Sequence, residues 1–131
     1  MSTEENKALI RRYLAAISGK EKPQSVIDEY IADSDPDLKQ HIVDAEQGFP
    51  LYELIEDDLI AEGDQVVLKS TLRGTHNGSF MGIPATGKSI DVPVALIYRI
   101  ADGKIADHWM LSDNLAMMQQ IGVIPTPESG A

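Results

Sequence analysis

Residues 82–89 read GIPATGKS, which fits G-x-x-x-x-G-K-[ST], the spelling of a loop that cradles nucleotide phosphates. That chemistry needs a strand before the loop and a helix after it, whose N-terminal N–H groups aim at the phosphates. The residues after Lys88 are SIDVPVALIYRI, rich in β-branched side chains and interrupted by Pro93, so they read as a strand. Pro84 also removes an N–H the cradle would use. The octet is therefore expected to be a hairpin loop, and no nucleotide partner is expected. The three histidines, His41, His76 and His108, lie on separate segments with no H-x-x-x-H spacing and no flanking carboxylate cluster, so neither a metal nor another cofactor is expected.

The elements that must position any site follow from periodicity. Ala8, Leu9, Tyr13, Ala16 and Ile17 recur at helical spacing and predict a helix over 3–18. Pro23 opens a second helix to Ala32, with Val26, Ile27, Tyr30 and Ile31 inward, and a third runs from Pro36 to Gln47 and stops at Gly48. Near residue 51 the period changes to that of strands. Two runs joined at AEGD and two joined at ADGK predict a pair of antiparallel hairpins. NLAMMQQIG predicts a short final helix. Three helices followed by a four-stranded meander make an α+β plan, a single domain over 1–124, with 125–131 as a loose tail.

Composition narrows the partners. A net charge of −10, with eleven scattered Lys and Arg, disfavours nucleic acid. No apolar run approaches bilayer length, so no membrane span is expected. The charged N-terminus and the absence of cysteine fit a cytoplasmic location.

The stretches IAEGD, GTHNGSFMGIPATGK and YRIADGKIADHW, with an Asp four residues after the Trp and a helix ending in QQIG, resemble the SnoaL-like polyketide cyclase family of the NTF2-like superfamily. The likeness covers about half the chain. It departs from the family at IADSDPDLKQHI, where relatives often carry a short strand with a His, and at Ala85, where a second Pro is common. The resemblance implies a cone: a strongly curved sheet wrapped around the helices, enclosing a pocket, often dimeric through the outer sheet face. It also implies a metal-free intramolecular aldol cyclisation in which the Asp matching position 113 is the general acid/base.

Alternation on the last strand puts Asp107, Trp109, Leu111 and Asp113 on one face and His108, Met110 and Ser112 on the other. The only Trp should be buried, so the Trp109 face is taken as the inside. Asp113 has two readings: a pocket carboxylate under Trp109, Leu115 and Met118, or the N-cap of the final helix. His76 is a candidate second acid/base at the pocket mouth or a solvated turn residue. Tyr13, Tyr30, Tyr52 and Tyr98 are candidate hydroxyl donors to an oxyanion, with Tyr13 and Tyr98 favoured as substrate contacts beside Trp109, Leu115 and Met118. The functional expectation is a small apolar or cyclic ligand, with or without a carbonyl group, and a cofactor-free cyclisation or an isomerisation of the ketosteroid isomerase kind. The rival is a non-catalytic binding or dimeric assembly module.

Overall fold

The computed structural model describes residues 2–125. Residues 126–131, most of the expected tail, lie outside the described residues. Helix α1 (Thr3–Ile17) begins with a capping box, in which the Ser2 side chain accepts from the Glu5 N–H and the Glu5 carboxylate accepts from the Ser2 N–H. Its stripe of Leu9, Ile10, Tyr13, Leu14 and Ile17 is buried. Helix α2 (Gln24–Tyr30) follows Pro23 and buries Ile27. Helix α3 (Pro36–Gly48) has Pro36 in its first turn, and Asp35 caps it through its side chain.

Four strands then form one antiparallel sheet in the order β1 (Glu53–Glu62), β2 (Gln65–Thr75), β3 (Ser89–Ala101), β4 (Lys104–Ser112). The β3–β4 turn places both Asp102 and Gly103 at positive φ (52° and 74°), the type I′ geometry that the DG pair favours. On β3 the alternation is unbroken: Ile90, Val92, Val94, Leu96, Tyr98 and Ile100 all face the core. Helix α1 packs across β1 and β2, so the sheet curves over the helices. Helix α4 (Asn114–Gln120) returns to β3, where the Gln120 side-chain amide brackets Asp91 by accepting from its N–H and donating to its carbonyl.

Two bulges set which side chains face inward. On β1 the extra residue is Asp57, so Leu54 and Leu59 are both inward despite their odd spacing. On β4 the register shifts opposite Arg99/Ile100. Ile105 pairs with Ile100 and Asp107 with Arg99, leaving Ala106 as the extra residue. The bulge inverts the phase of the rest of the strand. Alternating outward from the buried Ile105 puts Trp109 inside; the bulge instead turns His108, Met110 and Ser112 inward. This corrects the sequence expectation: Trp109 is 52% exposed and lies on the outer sheet face.

GIPATGKS forms no helix. It belongs to the loop between β2 and β3, as expected, and β3 starts at Ser89. His76 anchors that loop. Its Nδ1 accepts from the Thr86 N–H at 3.2 Å and lies 3.0 Å from the Thr86 hydroxyl, while its ring stacks on Phe49 with centroids 5.2 Å apart. An Nδ1 that accepts from a backbone N–H carries no proton, so a neutral ring is protonated at Nε2, which has no partner among the described residues. His76 is thus fully buried, and neither a solvated turn residue nor a group at the pocket mouth.

Candidate active site

Between α3 and the inner faces of β3 and β4 lies a cavity of about 430 Å³. A sealed, dry void of that size would cost about 10 kcal/mol at ~24 cal/mol per Å³, comparable to a domain's whole stability of about 5–15 kcal/mol. The hollow is therefore a place for solvent or ligand and not a packing defect. Its walls are mainly hydrocarbon: Leu38 and Ile42 from α3, Val94 and Leu96 from β3, Met110 from β4 and Met117 from α4. The roof is Phe80, Met81 and Gly82 from the β2–β3 loop. Among the described residues no Lys or Arg lines it and Asp44 is its only acidic residue, so an anionic ligand would find no counter-charge there.

Three tyrosines are among its polar lining residues. Tyr13 comes from α1, Tyr52 from the segment before β1, and Tyr98 from β3. Tyr13 and Tyr98 meet edge to face with centroids 6.0 Å apart. Burial, followed by the nearby Tyr98, Tyr52 and Asp35, raises the Tyr13 phenol well above its ordinary value. Burial, followed by a tyrosine or glutamate neighbour, raises Tyr98 and Tyr52 likewise. All three are neutral O–H donors at physiological pH. The Tyr98 hydroxyl is shut away from solvent with no partner among the described residues, an arrangement that costs about 1–3 kcal/mol. Tyr98→Phe is therefore expected to stabilise the protein by about 1 kcal/mol, read as a higher urea midpoint at unchanged slope. Tyr30 stays outside the walls and packs on Tyr13 at 5.9 Å.

Asp113 is the N-cap of α4. Its Oδ1 accepts from the Ala116 N–H at 2.9 Å, and the residue is exposed and absent from the cavity walls. Asn caps a helix as well as Asp does, so Asp113→Asn should leave stability within a few tenths of a kcal/mol, whereas Asp113→Ala should cost about 1 kcal/mol by urea unfolding. Two expected substrate contacts on α4 are corrected with it. Leu115 is 59% exposed, because the helix turns it to solvent, and Met118 packs against the core outside the cavity. Met117, one residue earlier, is the α4 side chain that reaches the wall.

Sequence reading misses the most ordered polar group of this interior. Asp35 is 4% exposed, and both of its oxygens are used. Oδ1 accepts from the Leu38 N–H at 3.1 Å, and Oδ2 lies 2.6 Å from His108 Nδ1. The partners are 73 residues apart, and the His108 side chain is only 15% exposed. Pro36 at a helix start marks Asp35 as a cap, but only the β4 bulge brings His108 to it. His41, on the cavity wall, is pushed below the ordinary histidine value by burial first and by the proximity of His108 second, which favours its neutral form.

A curved antiparallel sheet closed over helices around a tyrosine-bearing hollow defines an α+β protein of the NTF2-like fold. The profile of the SnoaL-like polyketide cyclases matches residues 24–121, and the chain belongs to that family. It is 42% identical over 67 residues to the aklanonic acid methyl ester cyclase DnrD of Streptomyces peucetius and to its counterpart DauD of Streptomyces sp. (strain C5). Those matches cover 50% of this chain but only 46% and 42% of the two relatives. Among solved structures, AclR from Streptomyces galilaeus superposes with a TM-score of 0.84 at 25% identity, over 97% of this chain and 87% of that one. TsrD from Streptomyces laurentii gives 0.81 at 26%, over 95% and 99%.

Proposed function

We propose that this protein is a cofactor-independent cyclase or isomerase acting on an uncharged, carbonyl-bearing cyclic or polyketide-like molecule held in the cavity. The observation that carries this reading is the Tyr13 phenol: it lines an apolar hollow, stays neutral, and makes no hydrogen bond to a described residue. Membership in a cyclase family supports the reaction type.

The chemistry needs a base and an oxyanion donor. The base takes the proton from a carbon next to a carbonyl, and the resulting enolate oxygen is held by Tyr13. In the cyclase form the enolate carbon attacks a second carbonyl of the same molecule. One C–C bond forms, and the new alkoxide takes up a proton. In the isomerase form the proton returns to a different carbon. Either way substrate and product have the same atoms, so the reaction balances without an oxidant or reductant. The family likeness assigns the proton to Asp113, whose carboxylate would first have to leave the Ala116 amide.

The direct experiment is incubation with aklanonic acid methyl ester, the substrate named for the two curated relatives, and with simpler cyclic diketones, followed by chromatography. Protein-dependent conversion to an isomer of equal mass is expected for at least one of them. Binding without conversion across the set supports the non-catalytic rival.

A second reading concerns assembly. Ile60, Val67, Ile97 and Trp109 stand in register across all four strands on the outer face, with Ile60 and Trp109 more than half exposed. This unbroken apolar row suits a second copy of the chain packed sheet to sheet. Trp109→Glu should convert a dimer to a monomer in sedimentation velocity while leaving the circular dichroism spectrum unchanged. A wild-type monomer at high concentration would refute the dimer.

A further inference from the structure

We infer that residues 79–85, the middle of the β2–β3 loop, are a flap that opens to admit the ligand and closes over it, with Phe80 seated on Gly48 as its latch. This rests on the cavity reading above and deepens it.

The roots of the loop are tied to the body. The His76 N–H donates to the Lys88 carbonyl at 2.8 Å, the Gly87 N–H to the His76 carbonyl at 2.8 Å, and the Gly78 N–H to the Gly48 carbonyl at 3.1 Å. The Thr86 N–H is held by His76 Nδ1. Between these roots the pattern changes. Phe80 and Ile83 exchange both backbone hydrogen bonds, at 3.0 and 2.8 Å, around Met81 and Gly82. Those two residues have φ angles of 50° and 76°, which make a tight turn of the I′ kind. Residues 79–85 make no other hydrogen bond among the described residues. The segment is a small stiff tip that bonds only to itself, and backbone so weakly tied to its surroundings is the part of a fold that opens most easily.

Apolar contact holds the tip down. The Phe80 ring meets Phe49 edge to face with centroids 5.3 Å apart, and Ile83 packs against the core. Phe80 also lies so near the end of α3 that a Cβ added at Gly48 would stand 2.6 Å from its own Cβ. Only a glycine leaves room for that approach.

The tip also borders the way in. Among the described residues, those that line the hollow and are exposed to solvent come from three places: Asp44 and Gln47 on α3, Asn114 at the start of α4, and Ser79, Met81 and Gly82 on the flap. Helix hydrogen bonds fix the first two sides of this mouth. The third has none to its neighbours. Raising the tip widens the entrance, and lowering it covers a ligand and keeps water from the reacting atoms.

The test reads the gate as a rate. Binding of 2-naphthol, followed by its fluorescence in a stopped-flow instrument, gives the association and release rates. Gly48→Ala keeps α3 helical, since Ala is the better helix former, but its methyl group displaces Phe80. The latch closes the empty and the filled hollow alike, so both rates should rise about tenfold with affinity within about threefold of wild type. A second variant, Gly48→Cys with Phe80→Cys, makes the gate switchable in a chain that has no other cysteine. A retreat of the tip by about 1 Å brings the two Cβ atoms to the usual disulfide spacing, so the thiols should join on oxidation. The oxidised protein should take up and release naphthol at least about tenfold more slowly than the same protein after dithiothreitol, a comparison that folding differences do not enter. Naphthol binding by the wild type with unchanged rates in Gly48→Ala, with equal rates in the oxidised and reduced pair, or with thiols that fail to join overturns the flap and leaves the cavity reading intact. Failure of the wild type to bind naphthol removes both.

Discussion

Tyr13→Phe is expected to lower turnover by about 10²- to 10³-fold while leaving ligand affinity nearly unchanged, the usual cost of losing one preorganised oxyanion donor. The expected split follows from where the negative charge develops. In the ground state the ligand carbonyl is a weak acceptor, and the apolar walls supply most of the binding. In the transition state the oxygen becomes an enolate, in a hollow with no cationic side chain. A neutral phenol already oriented there donates without the cost of reorganising solvent. Tyr13 belongs to the buried stripe of α1, so its ring is fixed by packing and only the hydroxyl is lost in the variant. The check is kcat and KM measured separately on whichever ester or diketone is converted. A rise in KM at constant kcat would make Tyr13 a binding contact only.

Gly78→Ala is expected to destabilise the protein by about 3 kcal/mol, at the upper end of ordinary overpacking costs. Gly78 donates its N–H to the Gly48 carbonyl at 3.1 Å, and a Cβ added there would overlap the Gln47 carbonyl oxygen. The obstacle is backbone at the end of α3, which cannot swing aside as a side chain could. The relief available is a shift of the loop, which carries the roof residues Phe80, Met81 and Gly82. Ligand affinity should therefore fall together with stability. Urea unfolding of the variant and the wild type measures the first, and naphthol titration the second. A loss under 0.5 kcal/mol would mean that the roof is not pinned at Gly78.

Where local chemistry decides the structure, the sequence is readable. The helices of the N-terminal half follow their apolar stripes and proline starts, and the DG pair predicts the type I′ turn actually formed at Asp102 and Gly103. The loop that spells a phosphate cradle is recognisable as a hairpin, because the residues after Lys88 favour a strand. The site is less legible, for a specific reason. Alternation correctly sorts β4 into two faces, but a single bulged residue, Ala106, decides which face is inside. No local signal marks it, since Ala suits either face. The appeal to a buried Trp109 then selects the wrong set and carries Asp113 and Leu115 along with it. His76 is misjudged for a related reason: its partners, Thr86 and Phe49, are brought to it by the loop and by α3, not by neighbours in sequence. Asp35 and His108 are invisible as a pair until the sheet closes over α3.

The most direct test of the central claim is a crystal structure of the protein with 2-naphthol bound. The account predicts the ring system inside the hollow between Leu38, Leu96 and Met110, with its oxygen at hydrogen-bonding distance, about 2.7 Å, from the Tyr13 hydroxyl. Naphthol found only outside the hollow, or inside it with its oxygen turned away from Tyr13, would contradict that claim.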